Sequence, residues 1–188
     1  MHLEEGWLGR QQRKALIEDY PYLQPKSAMT GEVYSDYDYE VIVGEGNLPE
    51  GWLALFLQMC EDLKTPLEKA GLLHNFRFLQ VKEKFGQLRA YNNGATEEVH
   101  DIISKYEFLS EQVCCVCGKP AVAMTHGWIC PFCEEHIKNF TDRGETVDTI
   151  EIKTEYIRTC YHNGTTTKTT INCEDEWARY LDRIGYSE

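Results

Sequence analysis

No stretch of this chain approaches the roughly 18 consecutive apolar residues that a membrane-spanning helix needs, so no membrane segment is expected. Its start, Met1-His2-Leu3-Glu4-Glu5, lacks the basic and apolar regions of a signal peptide, which predicts a soluble, cytoplasmic protein. Positive charge is scarce: 19 Lys and Arg stand against 31 Asp and Glu, for a formal net charge of −12. Such a surface repels phosphate backbones on average and favours basic partners. The chain has no Gly-rich phosphate loop of the Walker or dinucleotide type and no Gly-x-Ser-x-Gly. It also shows no internal repeat and no low-complexity segment.

What is present is cysteine in metal spacing. Cys114 and Cys117 form one Cys-x-x-Cys pair, and Cys130 and Cys133 form a second. Two such pairs can each fold into a tight knuckle and offer four thiolates to one tetrahedral Zn²⁺. Cytosolic thiols stay reduced, which suits a zinc thiolate site better than disulfides. Cys115 offers an alternative register with Cys117, but Cys-x-Cys is the less usual pair. His136 offers another, because Cys133-x-x-His136 also has ligand spacing. The preferred set is Cys114, Cys117, Cys130 and Cys133, closed around a single structural Zn²⁺. Alanine at Cys117 or Cys130 is then expected to unfold at least this segment.

The rest of the chain, 188 residues with 42% hydrophobic content, is enough for a real core. A short helix is expected over 7–20, with Leu8, Ala15, Leu16 and Tyr20 inward and Pro21 ending it. Residues 34–43 alternate Tyr37, Tyr39, Val41 and Val43 with Asp36, Asp38 and Glu40, the period of a strand with one acidic face. Residues 51–70 read as the best helix, with Trp52, Phe56, Met59, Cys60, Leu63 and Leu67 on one stripe. Cys60 is accordingly a core thiol. Two strands, 76–81 and 87–91, flank a turn ending at Gly86. A second helix over 96–111 turns Val99, Ile102, Ile103, Tyr106 and Leu109 inward. Strands are expected at 147–153, 155–161 and 165–171, with His162-Asn163-Gly164 as a hairpin turn, and a last helix over 174–184.

Two further groups are candidates for binding. Tyr34, Asp36, Tyr37, Asp38, Tyr39 and Glu40 would form a tyrosine-bearing acidic surface suited to a basic partner. Arg77, Lys82, Lys84 and Arg89 cluster on the 76–91 hairpin as a candidate anion site, in which Lys82 and Arg89 could meet across the strands. Catalysis has no complete constellation. Nucleobase deaminases place a proline directly before their Cys-x-x-Cys, whereas here Pro131 lies inside the pair. A zinc-stapled His-Asn-His nuclease would need histidines around a second metal, and His126 and His136 are the nearby candidates.

The run from Gln80 to Tyr91 resembles the hallmark of a family of uncharacterised bacterial and phage zinc-ribbon proteins. In that family a Gly-Trp helix start precedes a VKEKFGxLR hairpin, then a helix ending near a serine, then Cys-x-x-Cys-Gly and a Gly-Trp…Cys-x-x-Cys-x-x-His knuckle. Here these are Gly51-Trp52, Val81 to Arg89, Ser110, Cys114 to Gly118, and Gly127-Trp128 through Cys130, Cys133 and His136. The resemblance covers about residues 10–138 and implies a shared fold and a phage-type origin, with no activity attached.

The expected architecture is α+β: a small antiparallel sheet with packed helices (1–111), a four-cysteine zinc ribbon (112–140), and a C-terminal β-hairpin plus helix (141–188). The expected function is a non-enzymatic, acidic interaction protein that modulates or inhibits a host nucleic-acid-handling or defence protein through that protein's basic surface. The alternative is a nucleic-acid-binding regulatory zinc ribbon using the 77–89 hairpin with Lys119, His126 and Lys138. A zinc-stapled nuclease comes after these.

Overall fold

The computed structural model describes residues 10–24, 26–27, 29–33, 48–162 and 164–187. The mixed α+β architecture is as expected. Helix α1 (Arg10–Asp19) stops at Pro21, where a 3₁₀ turn, Pro21–Leu23, follows. Leu16 and Tyr20 are buried as expected, whereas Ala15 faces solvent. The acidic tyrosine strand, with Tyr34, Asp36, Tyr37, Asp38, Tyr39 and Glu40, lies outside the described residues.

Helix α2 (Leu53–Lys69) is the spine. The stripe of Trp52, Phe56, Met59, Cys60, Leu63 and Leu67 is fully buried, and Leu53, Leu55 and Leu57 are buried too. A helix apolar on nearly all sides must be packed on nearly all sides. Helix α3 (Glu97–Ser110) covers one flank and the C-terminal helix α5 (Glu174–Arg183) another. Thr96 caps α3 by accepting the Val99 N–H, and Glu97 and Glu98 complement the positive end of its dipole. Val99, Ile103, Tyr106 and Leu109 are buried in the core, while Ile102 is only half-buried. One main core thus draws on residues from Leu16 to Tyr180, so the C-terminal helix shares it with the N-terminal segment.

Asp62 fastens these three helices together. Its carboxylate receives both guanidinium nitrogens of Arg179 at 2.7 Å and the Tyr106 hydroxyl at 2.5 Å. Burial alone would raise the Asp62 carboxyl, but Arg179 and Tyr106 outweigh it and hold it below its ordinary 3.8. A depressed carboxylate contributes stability that is present above the unfolded pKa and lost as pH falls through the folded one. Asp62→Asn should therefore lower stability at neutral pH by about 2 kcal/mol and flatten its decline below pH 4 relative to the parent. Denaturant melts across an acid pH series would show this, and parallel curves for the two proteins would refute it.

Strands β1 (Phe78–Lys84) and β2 (Gln87–Asn92) pair antiparallel, with Lys84 opposite Gln87, so the turn is only Phe85-Gly86. The first strand therefore runs through Lys84 rather than ending at Val81. Alternation turns Val81, Leu88 and Ala90 inward. The outer edge of β2 is closed by α3: Ser110 Oγ accepts the Leu88 N–H at 2.8 Å and Glu107 accepts the Ala90 N–H at 2.9 Å. Side chains thus satisfy the backbone groups that an edge strand leaves open.

Beyond α3, strands β3 (Ala123–Thr125) and β4 (Pro131–Phe132) form a short hairpin, followed by α4 (Glu134–Thr141). Strand β5 (Val147–Thr149) pairs with β3, so it belongs to this small sheet and not to the C-terminal hairpin. It also ends at Thr149 instead of reaching Lys153. Strands β6 (Glu155–His162) and β7 (Thr165–Asn172) pair with His162 opposite Thr165, so His162, expected in the turn, belongs to the strand. Their hairpin docks on α3 through Tyr156 stacked on Phe108 and through Arg158 paired with Asp101. Cys160 is exposed on it, while Cys173 is buried at the start of α5.

Candidate metal centre and the cleft beside it

Four donors converge where the segment after α3 meets the start of α4. The ligating atoms of Cys114, Cys117, Cys133 and His136 all lie within 4.8 Å of one another. Cys117 Sγ stands 3.6 Å from Cys133 Sγ, and His136 Nδ1 stands 3.5 Å from Cys114 Sγ and 3.2 Å from Cys133 Sγ. With Zn–S near 2.3 Å and Zn–N near 2.0 Å, the edges of a tetrahedral site are about 3.5–3.8 Å. The donor set fits one tetrahedral ion.

Local structure explains the fit. Gly118, at φ +78°, lets the first pair turn back so that Cys114 N–H bonds to Lys119 O at 2.8 Å. Cys133 is the N-cap of α4, which places His136 three residues on, one helical turn away on the same face. Burial pushes the Cys133 thiol up, but the backbone N–H and ring of His136, with the Cys117 and Cys114 thiols, bring it down to about 7. The Lys119 N–H plays the corresponding part at Cys117, opposing a rise caused chiefly by burial. Amides aimed at sulfur favour the thiolate, the form that binds metal.

The fourth corner is therefore His136, and Cys130 is not part of the cluster. The turn from Thr125 to Cys130 is tied by Thr125 Oγ1, which accepts the Cys130 N–H at 3.2 Å and donates to Trp128 O at 2.6 Å. The Cys130 thiol is held below its ordinary range chiefly by the neighbouring Cys115 thiol, and the Cys115 thiol is pushed up by the same neighbour and by burial. Cys115 also stays out of the cluster. The helical i, i+3 spacing from Cys133 to His136 was the signal for the fourth donor. Symmetry of the two Cys-x-x-Cys pairs pointed the other way.

The cluster is bolted to the main core. Gly51 N–H bonds Cys115 O at 3.0 Å, Trp52 Nε1–H bonds Val113 O at 2.8 Å, and Tyr180 O–H bonds Gly118 O at 2.5 Å. The contact at Gly51 is backbone on backbone: a Cβ there would lie 2.1 Å from Cys114 O and 2.6 Å from Gly118 N.

The candidate anion residues divide. Lys82 and Arg89 are directly opposite across β1 and β2, and Lys84 lies two residues further on the same face. Arg89 is paired with Glu107 at 3.4 Å. Arg77 precedes β1 at the far end of the hairpin, five residues from Lys82, or about 17 Å along an extended chain; it takes no part in the group. The nuclease candidates are likewise committed elsewhere: His136 is a cluster donor, and His126 faces Asp148 at 3.3 Å.

A cleft of about 310 Å³ opens between the hairpin tip and the turn before Cys130, lined by Lys82, Glu83, Lys84, Phe85, Gly127, Trp128 and Ile129. The signal for it lay in the strand alternation through Lys84, which leaves Phe85 at the tip, and in Gly127-Trp128, which forms a second tip between the cysteine pairs.

Protein-family models, curated proteins and solved structures were compared with this chain. None matches. No helix among the described residues is long and apolar enough to cross a membrane.

Proposed function

We propose that this chain is a non-enzymatic binding protein whose recognition surface is braced by one structural Zn²⁺ at Cys114, Cys117, Cys133 and His136. The observation that carries the reading is that four donors lie within 4.8 Å of one another, three of the pairs at 3.2–3.6 Å. A site with four protein ligands leaves no position for water or substrate, which is the mark of structural zinc. The ion would supply a crosslink between the segment after α3 and the start of α4, and no chemistry.

Cobalt substitution tests this. The expected visible spectrum is that of tetrahedral Co²⁺ bound by thiolates and one imidazole, unchanged by added azide or cyanide. A spectrum that shifts with such anions would reveal an open coordination position and overturn the structural assignment.

A further inference from the structure

Phe85 is the one non-glycine residue with positive φ, +55°, among the described residues. The two-residue hairpin turn takes positive φ at both positions, Gly86 at +78° beside Phe85, and the first of them usually carries Asn, Asp or Gly in place of so bulky a side chain. Here that side chain serves no burial: Phe85 is 74% exposed at the hairpin tip. The tip itself is well seated. Glu83 accepts the Gly86 N–H at 2.7 Å, and a Cβ on Gly86 would lie 2.9 Å from Ile129 Cγ2. Across the cleft, Trp128 is 77% exposed. A second cleft, about 440 Å³ and lined by Lys84, Phe85, Arg89, Tyr91 and Glu107, begins on the other side of Phe85. Phe85 is thus the ridge between two adjoining hollows, with Trp128 at one end and the half-exposed Tyr91 at the other.

Cations accompany the rings. Lys82 Nζ lies 5.6 Å from the Tyr91 ring centre and Lys84 Nζ 5.7 Å from that of Phe85. Lys82 also stands directly across from Arg89, a like-charged cross-strand pair that weakens a sheet unless something neutralises it. Glu107 meets Arg89, while no carboxylate among the described residues lies within ion-pair distance of Lys82 or Lys84. An exposed phenyl, an exposed indole and two ammonium groups with no ion-pair partner among the described residues share one groove, whose lining also holds Glu83 and the Arg89-paired Glu107.

We propose that the groove from Trp128 over Phe85 to Tyr91 binds single-stranded nucleic acid, with bases stacked on the aromatic rings and phosphates met by Lys82 and Lys84. The proposal rests on the binding-protein reading above and names its ligand. Stacking platforms interleaved with cations are how single strands are held without sequence readout. An acidic peptide would satisfy the lysines but would offer nothing for the phenyl and indole faces to stack on. With two or three cations engaged, the affinity should fall with salt at a log–log slope of roughly −2.

The test uses the zinc-loaded chain with fluorescein-labelled oligothymidylate and oligouridylate of roughly 15 nucleotides at low salt, with a duplex and polyglutamate as comparisons. Anisotropy should report binding to the single strands, with Trp128 fluorescence quenched in the complex. Phe85→Gly and Trp128→Ala should each weaken it by about tenfold or more. Glycine is at ease at φ +55°, so Phe85→Gly should melt no lower than the parent, and its loss of binding cannot be misfolding. Absence of binding to either single strand, or retention of binding in both aromatic variants, overturns the proposal. Equal binding of polyglutamate with the same variant sensitivity also overturns it and assigns the groove to an acidic protein segment. None of these failures touches the cobalt spectrum, so the binding-protein reading fails or stands separately.

Discussion

Cys133→Ala and His136→Ala should each abolish stoichiometric zinc binding, while Cys130→Ala should keep one zinc per chain. The contrast follows from the convergence of Cys133 and His136 with Cys114 and Cys117, a cluster from which Cys130 is absent. Structural zinc sites contribute on the order of 10 kcal/mol, as much as an ordinary domain's whole stability. Losing a donor should therefore unfold the segment from Val113 to Thr149. Gly51, Trp52 and Tyr180 bond directly to that segment, so the main core should melt lower as well. Cys130→Ala removes one buried sulfur and should lower stability by only about 1 kcal/mol. Native mass spectrometry for metal content, with circular dichroism melts, reads both effects. Zinc retained in His136→Ala but lost in Cys130→Ala would restore the four-cysteine set.

Gly51→Val should be the most damaging substitution outside the metal donors. Its new Cβ would fall 2.1 Å from the Cys114 carbonyl oxygen, and that atom belongs to backbone that positions a metal donor. The start of α2 and the cysteine knuckle would have to separate, breaking the Gly51–Cys115 hydrogen bond. The expected loss is about 3 kcal/mol or more, together with weaker zinc retention against a chelator. Gly71→Ala is the control. Gly71 also has positive φ, +66°, but a Cβ there would meet nothing within 4 Å. Only backbone strain of about 1 kcal/mol should follow, with zinc retention unchanged. Equal effects of the two substitutions in denaturant melts would refute the account of the joint.

Much of the fold was legible because it is written in local period. The α2 stripe from Trp52 to Leu67 is spaced for a helix and is buried as read. The inward set of α3 is the same case, apart from the half-buried Ile102. The β6–β7 hairpin lies where its two strands were expected, with His162 joining the strand instead of the turn. The misread features are those that depend on where neighbours are. Ala15 has the spacing for the core but is exposed, with nothing among the described residues covering it. Residues 147–149 form a strand as expected, yet which sheet they join was decided by the free edge of β3.

By itself the sequence determined the α+β class, the principal helices and hairpins, and three of the four candidate metal donors after α3, because these depend on side-chain periodicity and on residues a few positions apart. Only the tertiary structure decided that His136 and not Cys130 completes the cluster, that Gly51 is the joint between core and knuckle, and that Phe85 and Trp128 line one cleft. The physical reason is range. A helical turn or a Cys-x-x-Cys knuckle is specified within a few residues. Which of two thiols turns toward a centre, and which two exposed rings share a hollow 43 positions apart in the chain, depends on packing among segments that meet only when the whole chain has folded.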